Sequence, residues 1–340
     1  MQTQTFSGRE VAAVIAIAAI SGCIAALQPL LLGALLSEGR ITAGAMGYAA
    51  TVEGLATMLA TVVAGAWLKP RRLRWIATVA IVAVLAANLI TLVVPPDVIV
   101  LARGLSGAGN GILLWIFISM AARSELPARL FAGFLTANAT VVFLLSLLLG
   151  TFAISRFGAT AGYAILICVY LLLLGTVRFL PDDFMDLDTS GGAARPPIAG
   201  LVALCAVGLF LAGITAFWIF AVALGTQAGI STRSMQLIIS IATGVQIVAG
   251  LAGIALASKV TGMQALVGAT LICVAAVAAT IVSDNVWIWG AATIAISFCW
   301  MFAPSFNIGF LDLADPSRRA AIFVGSAQLA GLAMGPALAR

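Results

Sequence analysis

Eleven stretches of this sequence stay apolar for about 20 residues or more, the length at which a helix rising 1.5 Å per residue crosses roughly 30 Å of hydrocarbon. They cover residues 10–36, 42–68, 75–94, 98–121, 130–154, 159–180, 197–225, 234–257, 261–283, 286–310 and 319–339. None keeps the two-residue alternation of a lipid-facing barrel strand, so the chain is expected to be an all-α integral membrane protein. Composition agrees, because 63% hydrophobic and 9% charged residues, with a mean hydropathy of +1.17, cannot hydrate a soluble surface. The 34 glycines suit closely packed membrane helices. The first stretch is too long for a cleavable signal peptide and has no basic segment before it.

The 17 cations form no continuous stripe, which excludes nucleic acid as a partner. Their placement reports orientation instead. Twelve (Arg9, Lys69, Arg71, Arg72, Arg74, Arg123, Arg129, Arg178, Arg195, Lys259, Arg318, Arg319) fall at one face and four (Arg40, Arg156, Arg233, Arg340) at the other. Basic loops stay inside, so the N-terminus is expected in the cytoplasm of a multi-pass protein of the cytoplasmic (inner) membrane. The five cysteines lie in apolar stretches without a CxxC and read as packing residues. Histidine is absent, which removes the commonest metal ligand and the usual proton relay at neutral pH. No metal or cofactor is expected, and any proton chemistry must use a carboxylate.

A faint repeat organises the chain. The loop Glu125, Pro127, Arg129, Phe131, Gly133 and the loop Asp315, Pro316, Arg318, Phe323, Gly325 share the order acid, Pro, Arg, Phe, Gly. The offset is 189 from Pro127 to Pro316 and from Arg129 to Arg318, and 190 from Lys69 to Lys259. A unit of six spans repeated in parallel describes two six-helix bundles related by an axis along the membrane normal. The expected division is 1–180 for the first bundle, 181–196 for a cytoplasmic linker and 197–340 for the second. On this offset Arg340 matches Gly150, so the second bundle is expected to hold five spans, eleven of twelve in all, as in a truncated copy.

Two charges lie inside the spans, Glu53 and Arg103. A lone charge at the bilayer centre costs about 2.5–3.5 kcal/mol on insertion scales, so each is a functional candidate first. Burial disfavours the ionised carboxylate, as proton coupling at Glu53 requires; a neutral carboxyl used only for packing is the alternative. Arg103 has three open roles: binding an anionic group, pairing with Glu53, or reaching out to lipid phosphate. The two backbones differ in depth by roughly 9 Å, so pairing requires adjoining helices. Asn110 follows Arg103 at i+7, Gly107 and Gly111 form a GxxxG for close helix packing, and Gly331 and Gly335 form another. Trp67 and Trp75, and Trp287 and Trp289, read as interfacial anchors.

The run Arg103-Gly104-Leu105-Ser106-Gly107-Ala108-Gly109-Asn110-Gly111 resembles the fourth-span motif of the major facilitator superfamily of secondary transporters. The loop Trp67-Leu68-Lys69-Pro70-Arg71-Arg72 is similar to that family's basic loop, with Lys69 where the family has an aspartate and with Pro70 added. Phe217-Trp218-Ile219-Phe220 and the segment from Ala303-Pro304 to Pro336 look like second-half segments. The resemblance implies alternating access about a central cavity lined by spans one, four, seven and ten. It thereby implies substrate roles for Gln28, Trp218 and Trp300 beside Arg103 and Asn110. The implied partners are a small organic solute and protons, handled by a monomer. The family's antiporter Gly-Pro stretch is missing from 130–154, which weighs against export.

Two other readings stand beside it. Asp182-Asp183-Phe184-Met185-Asp186 fits the DDxxD with which intramembrane prenyltransferases hold Mg²⁺ and diphosphate, but the second acidic cluster those enzymes need has no counterpart. A solvated acidic linker accounts for the same residues. The third reading is a non-transporting scaffold or receptor, or an inactive fragment.

Overall fold

The computed structural model describes residues 4–124, 127–185, 196–256, 259–316 and 319–339, save the side chains at 97, 127–129, 132, 254 and 322. Every apolar stretch is helical over most of its length. The helices are α1 (Gly8–Gly22), α2 (Ile24–Ser37), α3 (Ala43–Trp67), α4 (Leu73–Val93), α5 (Pro96–Ala121), α6 (Pro127–Leu148) and α7 (Ile154–Thr176). After them come α8 (Ile198–Gln227), α9 (Thr232–Leu256), α10 (Gly262–Ile281), α11 (Val286–Phe302), α12 (Asn307–Ala314) and α13 (Val324–Leu338). Among the described residues eight helical segments are long and apolar enough to cross a membrane, and nine when α1 and α2 count as one broken span. One of the eight runs 47 residues, Gly133–Phe179. That is about 70 Å of helix, more than two bilayer cores, so it folds as two spans.

The turn between them is a single residue. Gly158 has φ 71 and ψ −164, outside the helical region and accessible to glycine without strain. Glu38 at the end of α2 then accepts a hydrogen bond from the Ala159 N–H at 2.6 Å, satisfying a free amide of the restarted helix. Nearby, Arg40 Nη2 donates to the carbonyls of Thr91 and Leu92, both at 2.8 Å, and closes the C-terminus of α4. The α2–α3 loop thus braces two other helices.

Three expected spans depart from single straight helices. The first is bent by 41° at Cys23, and Pro29 follows six residues on, where it has no N–H to donate to the Ala25 carbonyl. The fifth ends in a π turn, Leu149–Ala153, and continues to Phe157, so no loop opens at 155–157. The tenth breaks into α11, a 3-10 turn (Ala303–Phe306) and α12, because Pro304 has no N–H to continue the ladder. Trp67 and Trp287 are largely exposed, as anchors are. Trp289, by contrast, is buried against Phe217 with ring centroids 6.2 Å apart.

Helices α1–α7 pack on one another, chiefly α3 on α5 and α4 on α5, and α8–α13 do so through α8 on α13 and α9 on α11. The groups meet where α3 crosses α13, α6 crosses α9 and α2 crosses α8. Their cores divide unevenly. One core is confined to α1, α3–α7 and the segment through Phe184, at the face carrying most of the basic loops. The other runs from α2 and the opposite ends of α3, α5, α6 and α7 into the whole second group. The bend at Cys23 is where a single span passes from one core to the other.

Candidate functional site

Glu53 and Arg103 meet. Glu53 lies midway along α3, and Arg103 lies two turns into α5, the helix on which α3 packs most extensively. That approach depends on glycine. A Cβ at Gly107 would strike the Glu53 carbonyl oxygen, and one at Gly111 would strike the Thr57 carbonyl, so the two backbones touch at both positions. With the helices this close, Arg103 Nη1 reaches Glu53 Oε1 at 3.4 Å, and both residues are at most 2% exposed.

The remaining groups complete the arrangement. Arg103 Nη2 donates to Asn88 Oδ1 and Thr91 Oγ1 on α4, each at 2.9 Å, and the guanidinium lies 5.1 Å from the centre of the Tyr163 ring on α7. Gln28 Nε2 on α2 donates to Glu53 Oε2 at 3.2 Å. Taking an ion pair from water costs several kcal/mol per ion, and mutual attraction repays it only when hydrogen bonds satisfy the remaining lone pairs and protons. Here both carboxylate oxygens have a donor and Nη2 has two acceptors. Among the described residues, Arg103 Nε, Asn88 Nδ2 and the Tyr163 hydroxyl are buried around the pair without a hydrogen-bond partner.

The other expected residues separate into distinct places. Asn110 does not face Glu53: its Oδ1 accepts from the Tyr170 hydroxyl at 2.6 Å, and its Nδ2 donates to Ser106 Oγ at 3.5 Å, within the first group. Trp218 and Trp300 stand together in the second group, edge to face with centroids 5.4 Å apart. Trp218 Nε1 also donates to the Ala26 carbonyl at 3.2 Å, a hydrogen bond that joins the two groups beside the bent span. Gly331 is apposed to the Gly208 carbonyl and Gly335 to Thr215 Oγ1 and the Ala212 carbonyl, seating α13 on α8. One residue from Glu53, a Cβ at Gly54 would lie 2.8 Å from Ala333 Cα, so α3 touches the second group next to its carboxylate.

Asn88, Thr91 and Tyr163 did not stand out in the sequence. Asn88 and Thr91 are three apart on one face of an apolar span, and that spacing was the available signal. The acidic motif has a structural role. Asp182 Oδ1 accepts from the Arg74 N–H at 3.3 Å and Asp183 Oδ1 from the Arg72 N–H at 3.1 Å, capping α4. Among the described residues no three metal-ligating side chains gather. Asp186, Glu125, Arg195, Arg318, Arg340 and the Arg129 side chain lie outside the described residues.

A cluster of helices around a buried ion pair invites comparison with solved membrane proteins. The chain aligns over 96% of its length with the D-xylose-proton symporter, covering 89% of that chain, at a TM-score of 0.71 and 13% identity. It has the major facilitator fold. A nucleoside transporter, NupG, aligns at a TM-score of 0.72 and 12% identity, with 97% of this chain and 88% of that one covered. A bacterial homologue of the human lysosomal transporter Spinster, inward-facing and occupied, aligns at 0.69 and 14%, with 96% and 79% covered. No protein-family model and no curated sequence matches the chain. These neighbours are transporters of solutes, and this chain is a multi-pass membrane protein built like them.

Proposed function

We propose that the protein is a secondary active transporter that moves a small organic solute by alternating access and couples that movement to protons through Glu53. The carrying observation is the position of the Glu53 carboxylate, held between Arg103 on α5 and Gln28 on α2. Gln28 belongs to the segment whose core is shared with the second group, whereas Asn88 and Thr91 hold Arg103 within the first. Protonation removes the charge that attracts Arg103 and turns one acceptor oxygen into a donor, which weakens the Gln28 contact. A proton at Glu53 therefore loosens α2 beside the Trp218–Ala26 hydrogen bond that ties the two groups together. Arg103 holds the coupling carboxylate in this scheme, and Gln28, Trp218 and Trp300 border the path between the groups.

The distribution of basic residues supports a cytoplasmic N-terminus in an inner membrane. The neighbouring folds support a solute as cargo, since one is a sugar–proton symporter and another a nucleoside transporter.

The test uses the full chain in proteoliposomes loaded with a pH-sensitive dye and offered D-xylose, uridine and a panel of uncharged small solutes. At least one solute is expected to drive proton movement, and Glu53→Gln is expected to abolish that movement while the protein still inserts and folds. Proton movement that persists in Glu53→Gln overturns the coupling assignment. If no solute elicits movement across the panel, the scaffold reading gains the ground.

A further inference from the structure

Between the groups, on the less basic side of Trp218, lies a cavity of about 220 Å³. It is walled by Pro29 and Gly33 of α2, Val222 and Thr226 of α8, and Gln236 of α9, with Gln227 at its rim. Among the described residues that line it, none is charged. Gln236 is only 5% exposed, and among the described residues its side-chain amide has no hydrogen-bond partner. Its backbone carbonyl already accepts from Ser240 Oγ at 2.9 Å, and its Cβ lies 3.4 Å from where a Cβ at Gly150 would stand, so the π turn of the first group holds it in place. The carboxamide lines the cavity with no protein partner among the described residues, so a solute seated there can take up its hydrogen-bonding capacity in place of water.

From this arrangement we infer that the cavity is a binding site for a small uncharged solute, mostly apolar and carrying one hydrogen-bonding group that pairs with Gln236. The inference rests on the transporter reading above and gives it a class of cargo. Neutrality follows from where the charges are. Glu53 and Arg103 already neutralise one another, and among the described residues no charged side chain lines the cavity, so a charged cargo would shed water here without a counter-charge to receive it. Size follows from volume. A dry cavity of about 150 Å³ accepts benzene, so this one admits a single ring with a polar substituent, or a solute of like bulk. Apolar walls with a few placed polar groups at a junction between structural units are the usual make-up of a small-ligand site.

Three probes of nearly equal shape separate the possibilities: benzamide, benzoate and benzylammonium. Their binding to the purified full chain is measured by saturation-transfer NMR titration in nonionic detergent. Benzamide is expected to bind at least tenfold more tightly than either ion. Gln236→Leu, which keeps the bulk and removes the amide, is expected to weaken benzamide about threefold to tenfold. Gly33→Phe, which fills the cavity from the α2 side, is expected to abolish its binding and still decides the matter if Gln236→Leu does not fold. Equal binding of the ions, or benzamide binding unchanged in either folded variant, overturns the inference. Failure here with Glu53-dependent proton movement intact leaves the transporter reading standing. Binding that depends on Gln236, without any proton movement, removes the transporter reading and leaves the site.

Discussion

Removing one member of the buried ion pair is the most informative perturbation. In Glu53→Leu the Arg103 guanidinium keeps Asn88, Thr91 and the Tyr163 face but loses its counter-charge at 1% exposure. Breaking a buried pair in this way costs about 3–5 kcal/mol, because the remaining charge can neither rehydrate nor re-pair. At roughly 2–4 °C per kcal/mol for a cooperative unit of 150–250 residues, the midpoint should fall by about 6–20 °C. The double variant Glu53→Leu/Arg103→Met removes both charges and replaces them with apolar side chains of similar bulk. It still leaves Gln28, Asn88 and Thr91 short of partners, so recovery is partial, with a non-additivity of about 2 kcal/mol or more. The assay is thermal unfolding of the purified protein followed by intrinsic tryptophan fluorescence across the four variants of the cycle. Losses that simply add would show that the two side chains do not sustain one another, and the coupling scheme would go with them.

Four further outcomes follow from contacts described above. Gly107→Ala places a methyl group against the Glu53 carbonyl and should destabilise by about 1–3 kcal/mol, whereas Gly175→Ala, which meets nothing within 4 Å, should be neutral or stabilising by up to about 1 kcal/mol; unfolding midpoints compare them directly. Gly158→Ala forces a side chain into a left-handed turn and onto the Glu38 carboxylate, so it should cost more than Glu38→Gln, which only weakens the cap at Ala159; protease protection of the α6–α7 turn reports the order. Trp218→Phe deletes the indole donor to Ala26 and should raise maleimide labelling of Cys23, buried at the bend in the first span, with unchanged labelling counting against a joining role. Asp182→Asn keeps an acceptor for the Arg74 amide, while Asp182→Ala removes it and should cost about 0.5–2 kcal/mol; a dependence of either variant on Mg²⁺ would reopen the diphosphate reading.

The helices were legible because lipid leaves a backbone no hydrogen-bonding partner but itself, which makes span length and apolarity sufficient evidence. Their interruptions were less so: the bend at Cys23 occurs inside a continuous apolar run, where hydropathy carries no mark of direction, and the gap at 155–158 gave no sign that helix would continue to Phe157 and turn at Gly158 alone. Glu53 and Arg103 were conspicuous as charges in hydrocarbon. Their pairing was only one of three options, because adjacency of two spans is not written in either, and the glycines that permit it became meaningful only once their neighbours were known. Asn88 and Gln236 illustrate the remainder. Neutral amides are inexpensive enough to occur throughout membrane helices, and only the partner of the one and the isolation of the other distinguish them.

The strip Leu180–Met185 returns to the first group before leaving it. The Leu73 amide donates to the Asp182 carbonyl at 2.8 Å, the Phe184 amide to the Pro70 carbonyl at 2.9 Å, and Arg123 Nε to the Met185 carbonyl at 2.6 Å. The first group therefore holds the chain as far as Met185 rather than to the end of α7 alone, and Pro197, at the start of α8, follows 12 residues later. At most about 3.3–3.6 Å per residue, 12 residues reach roughly 40 Å, which sets an upper limit on the separation of Met185 and Pro197 in any state of the protein.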